Sequence, residues 1–185
     1  ELRKTIKSKW INTGPREKDF RRKVKNQFKA KYAVATNSGT SSLRLALAAH
    51  NIGRGDEVIS TAYTWIATNT AILEAGAKPI FADVNYDDLN ISIKDIEKKI
   101  TKKTKAVICV HYAGNPVDLD QLKNLCKKYK IHLIEDCAHA MGSKYKNMPI
   151  GSSKNISCFS FQCVKIVTCG DGGAVTCGDK KIYQN

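Results

Sequence analysis

A carboxylate, a hydroxyl and a lysine stand beside apolar segments that have the composition of β-strands. Asp136 comes two residues after the largely apolar segment 131–134. Ser160 lies within the segment 156–161, and Lys165 comes shortly after it. A lysine amine can form a Schiff base with an aldehyde, a carboxylate can hold a protonated ring nitrogen, and hydroxyl and amide groups can bind a phosphate. These residue types together predict a site for pyridoxal phosphate.

Lys165 is the strongest of these candidates. Its near neighbours are Cys163, Val164, Ile166 and Val167, none of which is charged. A lysine in such surroundings is expected to be partly shielded from water, and a partly desolvated amine is competent for Schiff-base chemistry. The carboxylate is less specific, because an aspartate at the end of a strand is more often a turn or cap residue.

Three further candidates each have an ordinary structural alternative. Residues 38–41 follow a predicted strand and open a predicted helix, so their N–H groups and hydroxyls could receive a phosphate, or could simply cap the helix. Trp65 could stack on a cofactor ring or pack in the core. His139 could hydrogen-bond the phenolic oxygen of the cofactor, although a lone histidine is more often structural.

Apolar strand-like segments alternate with helical segments along the chain. This alternation predicts an α/β fold with a mostly parallel sheet covered by helices on both faces, in which the last two strands are close enough to pair antiparallel. Ligands bind at the carboxyl ends of the strands in such a sheet, where the candidate residues fall. The predicted strands are 32–36, 57–60, 79–84, 106–110, 131–134, 156–161 and 173–176, and the predicted helices are 41–50, 64–74, 92–100 and 119–129.

Length and composition limit the class of protein. A chain of 185 residues with 42% hydrophobic content can bury one full core. No apolar run is long enough to span a bilayer, and the first nine residues are charged rather than signal-like, so a soluble, cytoplasmic protein is expected. The seven cysteines are an odd number without a Cys-x-x-Cys pair, which favours reduced thiols over disulfides and makes a zinc site improbable.

The net charge of +14 indicates an anionic partner. A nucleic acid, a membrane surface and a phosphorylated small molecule all satisfy this condition. Basic residues are spread along the chain and are not interleaved with aromatic residues, which favours solvated helix faces over a nucleic-acid surface. Many of them fall in residues 1–31, which we expect to form a basic helical segment ahead of a larger domain, residues 32–185.

Short motifs occur in a characteristic order along nearly the whole chain. Their order resembles that of the DegT/DnrJ/StrS family of fold-type I sugar aminotransferases, which use pyridoxal phosphate. The motifs are WINTGP at 10–15, ATNSGT at 35–40, GRGDEVI at 53–59, TWIAT at 64–68, AGAKP at 75–79, VHYAG at 110–114, IEDCAHA at 134–140 and FSF at 159–161.

The resemblance implies a role for each candidate residue. Lys165 matches the Schiff-base lysine, and Asp136 matches the partner of the ring nitrogen. Trp65 matches the aromatic residue that stacks on the ring, and His139 stands where the family has a residue near the phenolic oxygen. The phosphate cradle is matched by Gly39, Thr40, Ser41 and Ser160.

The implied reaction is a transamination in amino-sugar biosynthesis. An amino donor, typically glutamate, supplies the amino group, and a keto group on a nucleotide-linked sugar receives it. The family works as homodimers and includes dehydratases in which histidine replaces the lysine, so Lys165 favours an aminotransferase. A basic protein also suits a substrate that carries a diphosphate.

Two departures from the family pattern leave another interpretation open. Gln162 and Ile166 stand where histidine and asparagine are common, and the chain ends at Asn185 without a counterpart of the family's C-terminal small domain. The sequence is therefore also compatible with a catalytically inactive binding or scaffold protein. A natural short protein, a split gene product and a fragment are equally compatible with it.

Overall fold

A computed structural model of the chain describes residues 1–152 and 154–185. Strands and helices alternate through most of it. The helices are α1 Leu2–Lys7, α2 Pro15–Phe28, α3 Gly39–Ala49, α4 Ile66–Glu74, α5 Ile93–Lys99, α6 Leu119–Tyr129 and α7 Lys180–Gln184. The strands are β1 Tyr32–Thr36, β2 Glu57–Thr61, β3 Lys78–Ala82, β4 Thr104–Val110, β5 His132–Asp136, β6 Lys144–Tyr145, β7 Met148–Pro149, β8 Ile156–Ser160 and β9 Gly173–Cys177.

Seven strands form one sheet in the order β1-β9-β8-β5-β4-β2-β3. The contacts β2 with β3, β2 with β4, β4 with β5 and β5 with β8 are parallel. Strand β9 runs antiparallel to both of its neighbours, β1 and β8. The predicted mostly parallel sheet is therefore confirmed, together with the antiparallel pairing of its last two strands.

Helices cover both faces of this sheet, as the sequence predicts. Along β4, Ala106 and Ile108 pack in one buried cluster, which also holds Leu43 and Leu47 of α3 and the apolar side of α4. The intervening residues Val107 and Cys109 pack in a second cluster with α2, α5 and α6. Successive side chains of a strand point to opposite faces, so a continuous apolar strand is what a sheet buried on both sides requires.

The helix α2 packs directly on the sheet. Its Phe28 stacks on Phe159 of β8 with 4.1 Å between ring centroids, and its Phe20 meets Phe161 edge-on at 5.4 Å. Val24 and Phe28 are buried. The basic side chains of α2 therefore form the outer face of a helix whose inner face belongs to the core.

A hairpin of β6 and β7 was not predicted, because each strand has only two residues. Its turn is formed by Lys146 and Asn147, both with positive φ, at 47° and 65°. Two positive φ angles in a two-residue loop are typical of a type I′ turn, in which asparagine is favoured. In the described part of the chain, none of the helices has the length and apolar character that would let it cross a membrane.

Candidate cofactor site

A cleft opens where the carboxyl ends of β1, β5 and β8 meet the first residue of β9. It measures about 600 Å³ including space open to solvent. Six of the eight predicted site residues line it, namely Gly39, Thr40, Trp65, Asp136, Ser160 and Lys165. Residues separated by more than 120 positions in the sequence thus share one cleft, as the parallel topology predicts.

Asp136 is the last residue of β5 and is 5% exposed. Its Oδ1 accepts a hydrogen bond from the backbone N–H of Ala138 at 3.1 Å. Its Oδ2 accepts one from the hydroxyl of Thr68 at 2.9 Å. Each carboxylate oxygen has further lone pairs, so the group is held in one orientation and can still accept a proton or a hydrogen bond from a ligand.

Thr68 is a site residue that the sequence analysis missed. It lies on α4, lines the cleft and is buried on the same side of the helix as Ala71 and Ile72. Its hydroxyl also pairs with that of Thr64 at 3.0 Å. A sequence signal existed, because a hydroxyl on the buried side of a short apolar helix needs a partner, but the partner is 68 residues away.

The start of α3 has the features of a phosphate cradle. The side chain of Ser38 caps the helix by accepting the N–H of Ser41 at 3.1 Å. The N–H groups of Gly39 and Thr40 precede the first intrahelical hydrogen bond, so a ligand can use them. A Cβ on Gly39 would lie 2.7 Å from the Cβ of Ser160, so the glycine lets the helix start approach the Ser160 side chain closely.

Gly173 plays a similar part beneath this cradle. A Cβ there would lie 2.3 Å from the carbonyl oxygen of Ser38 and 2.4 Å from the hydroxyl of Thr36. The backbone of the turn between β1 and α3 therefore rests on the start of β9. This contact sets the distance between the first residues of α3 and the sheet, and hence the position of the free N–H groups of α3.

Ser41 and His139 are the two predicted residues that do not line the cleft. The hydroxyl of Ser41 accepts a hydrogen bond from Ser38 at 3.1 Å, so this residue takes part in the helix cap. His139 lies edge-on to Tyr112, with 6.0 Å between ring centroids. A direct contact of either residue with a cofactor stays a prediction.

His139 nevertheless lies within the electrostatic range of the cleft. Burial lowers the pKa of its imidazole, and the positive charge of Lys165 lowers it further, whereas the negative charge of Asp136 acts in the opposite direction. The neutral imidazole is therefore favoured near neutral pH. A neutral imidazole has one N–H donor and one acceptor nitrogen, and either can hydrogen-bond a phenolic oxygen.

Lys165 lies in a turn and not in a strand, because β8 ends at Ser160. The N–H of Lys165 bonds to the carbonyl of Gln162 at 2.9 Å. Lys165 is half-buried, but Val164 and Ile166 are 77% and 76% exposed. Lys165 is thus partly shielded from water, as expected, although its apolar neighbours Val164 and Ile166 are exposed and do not provide the shielding.

Trp65 is 65% exposed at the mouth of the cleft, directly before α4. The alternative that Trp65 packs in the core is therefore wrong, whereas its position is compatible with a ring that covers a bound ligand.

The buried environment predicted for the strand cysteines Cys109 and Cys158 is confirmed, but Cys163 and Cys169 are exposed on the loop around Lys165.

The arrangement fits pyridoxal phosphate on three observations. The backbone of Gly39 lies close to the Ser160 side chain, beside free helix N–H groups that suit a phosphate. A buried, oriented carboxylate stands at the inner end of the cleft. A lysine lines the same cleft, as a Schiff-base residue must.

The chain is similar to sugar aminotransferases of known sequence and structure. GDP-perosamine synthase of Escherichia coli O157:H7 is 44% identical over 180 residues, which are 97% of this chain and 50% of that enzyme. The aminotransferase of Psychrobacter cryohalolentis superimposes with a TM-score of 0.95 at 39% identity, over 98% of this chain and 47% of that one. A putative sugar aminotransferase of Streptococcus pneumoniae, solved in its PLP form, superimposes with a TM-score of 0.91 at 33% identity, over 97% and 49%.

The chain spans about half the length of the curated relatives that it matches. The sequence profile of the DegT/DnrJ/EryC1/StrS aminotransferase family matches residues 1–185. The structural relatives confirm the fold-type I architecture, and the family's cofactor is pyridoxal phosphate, as the sequence predicts. The chain therefore belongs to the DegT/DnrJ/EryC1/StrS aminotransferase family.

Proposed function

We propose that the protein is a pyridoxal-phosphate-dependent aminotransferase that transfers the amino group of glutamate to a nucleotide-linked keto sugar. The observation that carries the proposal is the shared cleft of Lys165, Asp136 and the Gly39–Ser160 cradle. Residues 32–185 form the proposed cofactor-binding domain. Bound pyridoxal phosphate supplies an aldehyde and a ring that stores the electron pair released when a proton leaves the substrate carbon.

Each protein group has one proposed task. Lys165 binds the aldehyde covalently and, once displaced by the substrate amine, carries a proton at its Nζ atom. Asp136, oriented by Thr68, keeps the ring nitrogen protonated. The Ser160 hydroxyl and the N–H groups of Gly39 and Thr40 hold the phosphate. Trp65 covers the ring and excludes water from one face.

The proposed substrate class rests on charge and on a relative's name. The chain carries a net charge of +14, which favours an anionic ligand such as a nucleoside diphosphate sugar. The name of GDP-perosamine synthase refers to a GDP-linked sugar. Gln162 and Asp171 also line the cleft and could meet the polar groups of the sugar and the amino donor.

We further propose that the protein acts as a homodimer in the cytoplasm. Large apolar side chains lie exposed near the mouth of the cleft, at Trp65, Ile66, Val164 and Ile166. Exposed apolar groups on this scale favour burial against another protein surface. The cysteines of the described residues are free, which is typical of proteins in a reducing compartment.

The proposal is tested first by cofactor binding. Adding pyridoxal phosphate to the protein should give a visible absorption band that Lys165→Ala lacks. Lys144→Ala is the matched control, because Lys144 is an exposed lysine in β6, outside the cleft. A band of equal strength in Lys165→Ala would refute the assigned role of this lysine, and no band in the wild type would favour the inactive binding protein.

The reaction itself is tested in two halves. Glutamate should convert the bound cofactor to its amino form and release 2-oxoglutarate, and a nucleotide-linked keto sugar should then restore the original band. The same sugar without its nucleotide is the control for the substrate class. Turnover of the free sugar at the same rate would contradict the proposed recognition of a diphosphate.

A further inference from the structure

A second polar cluster lies on the other face of β5. His111 and Glu135 are both 0% exposed, and their Nε2 and Oε2 atoms are 3.3 Å apart. The other oxygen of Glu135 accepts a hydrogen bond from the side chain of Asn155 at 3.3 Å. Because side chains alternate along a strand, Glu135 points away from the cofactor cleft, and its neighbour Asp136 points into it.

The hydrogen bonds of His111 identify its tautomer. Its Nδ1 accepts the backbone N–H of Val117 at 3.1 Å, so this nitrogen carries no proton. The proton of the neutral ring therefore lies on Nε2 and faces Glu135. In this way, one imidazole joins the loop before α6 to the carboxylate of β5 through two directed hydrogen bonds.

We propose that His111 is a positioning residue for Asp136, an inference that rests on the proposed function. Its backbone N–H donates to the carbonyl oxygen of Asp136 at 3.2 Å. Its side chain holds the preceding residue, Glu135, and the next residue is held by a bond from the Cys137 N–H to the Cys158 carbonyl at 2.8 Å. The backbone on both sides of Asp136 is thus fixed by buried hydrogen bonds.

A buried carboxylate is expensive to desolvate, so this network is a costly way to hold a strand for packing alone. Apolar residues of similar volume would serve a simple core at least as well. A fully satisfied polar network, in contrast, allows one arrangement and rejects neighbouring ones. Such rigidity is useful beside a carboxylate that must meet one ring nitrogen, since errors of about 1 Å in a site cost much of its efficiency.

The same cluster has the composition of a metal site, but its hydrogen bonds oppose that use. Ligand atoms of His111, Glu135 and Cys137 lie within 4.8 Å of one another. A metal on Nε2 would move the ring proton to Nδ1, where it would face the Val117 N–H. Burial also raises the pKa of the Cys137 thiol well above its usual range, which disfavours the thiolate that a metal requires.

The test compares three variants of the full chain. His111→Leu removes both side-chain hydrogen bonds. His111→Gln keeps one acceptor and one donor and should restore them. His132→Leu is the control, because this histidine begins β5, at the end of the strand opposite Asp136, and stacks on His50.

Two readouts separate positioning from general stability. In the cofactor-free chain, hydrogen exchange of the Ala138 N–H, which donates to Asp136, should be at least about tenfold faster in His111→Leu relative to the Ile59 N–H of β2. In the protein loaded with cofactor, the dissociation constant of pyridoxal phosphate should be about tenfold higher in His111→Leu than in the wild type, because loss of a residue that orients a ligand-binding group typically has an effect of this size. The pH midpoint of the visible band should also differ between the two proteins. His111→Gln and His132→Leu should match the wild type in both readouts.

Equal Ala138 exchange and an unchanged pH midpoint in a folded His111→Leu variant would overturn the proposal. Tight binding of Zn²⁺ or Co²⁺ that depends on both His111 and Cys137 would also overturn it in favour of a metal site. A wild type without a visible band would refute the proposed function. In that case, the exchange of Ala138 alone would decide whether His111 holds Asp136.

Discussion

The hydroxyl of Thr68 donates a hydrogen bond of 2.9 Å to the Oδ2 atom of Asp136, joining α4 to the end of β5 inside the cleft. Thr68 is the third residue after Trp65, so the ring at the cleft mouth and the hydroxyl at its inner end are carried by one helical turn. A single short helix thus presents one group proposed to cover the cofactor ring and one that orients the partner of its nitrogen.

Thr68→Val tests the importance of this hydrogen bond. The variant keeps the shape of the side chain but leaves a buried carboxylate oxygen without its donor, which costs about 1–3 kcal/mol. We expect the affinity for pyridoxal phosphate to fall about tenfold or more, measured by titration of the visible band. Thr70→Val is the control, because the Thr70 hydroxyl donates to the Ala67 carbonyl of the same helix and not to Asp136. Equal losses of cofactor affinity in the two variants would contradict the role of the Thr68 hydrogen bond.

Gly39→Ala tests the close approach of the helix start to β8. The added Cβ would lie 2.7 Å from that of Ser160, so the helix start or the strand must move. We expect a loss of about 1–3 kcal/mol in unfolding free energy and a larger proportional loss in cofactor affinity, because the phosphate N–H groups move with the helix. Gly53→Ala is the control, because a Cβ on Gly53 would lie 3.6 Å from its nearest neighbour, the Ala75 carbonyl oxygen. If Gly39→Ala lost no more stability and cofactor affinity than Gly53→Ala, this account of the cradle would be contradicted.

The stability of the fold should fall in mild acid because of a histidine pair outside the cleft. His50 stacks on His132 with 3.9 Å between ring centroids, and burial together with the charge of His132 lowers the pKa of His50 to about 4. Burial, together with the charge of Lys105, also lowers the pKa of His132. Between pH 6.5 and about 4 the unfolded chain therefore binds more protons than the folded one, so the unfolding free energy falls as the pH falls.

His50→Phe isolates this contribution. The variant keeps a ring against His132 but does not titrate, so its urea unfolding midpoint should depend less on pH than that of the wild type. The expected difference between pH 7 and pH 4.5 is about 1–2 kcal/mol after allowance for solvent screening of the half-buried ring. Parallel pH curves for the two proteins would show that His50 does not control this window.

Much of the sheet could be predicted because burial on both faces leaves a clear sequence pattern. The residues 106–110 form a continuous apolar run and lie in the interior strand β4, and the predicted strand 32–36 coincides with β1. Asp136 was predicted to end its strand because the largely apolar segment 131–134 comes just before it. The strand order brings Asp136, Ser160 and Gly39 together, and parallel topology predicts that meeting.

Other features depend on contacts that no local pattern reveals. The Thr68 hydroxyl finds its partner only when α4 packs across the sheet, and the pairing of His111 with Glu135 likewise needs two neighbouring strands in register. The surroundings of Lys165 were misjudged because apolar neighbours usually indicate burial, whereas Val164 and Ile166 lie exposed on a turn. Their exposure agrees with the proposed burial of this surface against a second protein chain.

The central claim is that Lys165 is the residue that binds pyridoxal phosphate. The most direct measurement is reduction of the loaded protein with borohydride, followed by mass spectrometry of its peptides. The account predicts a phosphopyridoxyl group on Lys165, at a stoichiometry near one per chain and absent from the exposed Lys144. A label spread over surface lysines, or a label of equal extent in Lys165→Ala, would contradict it.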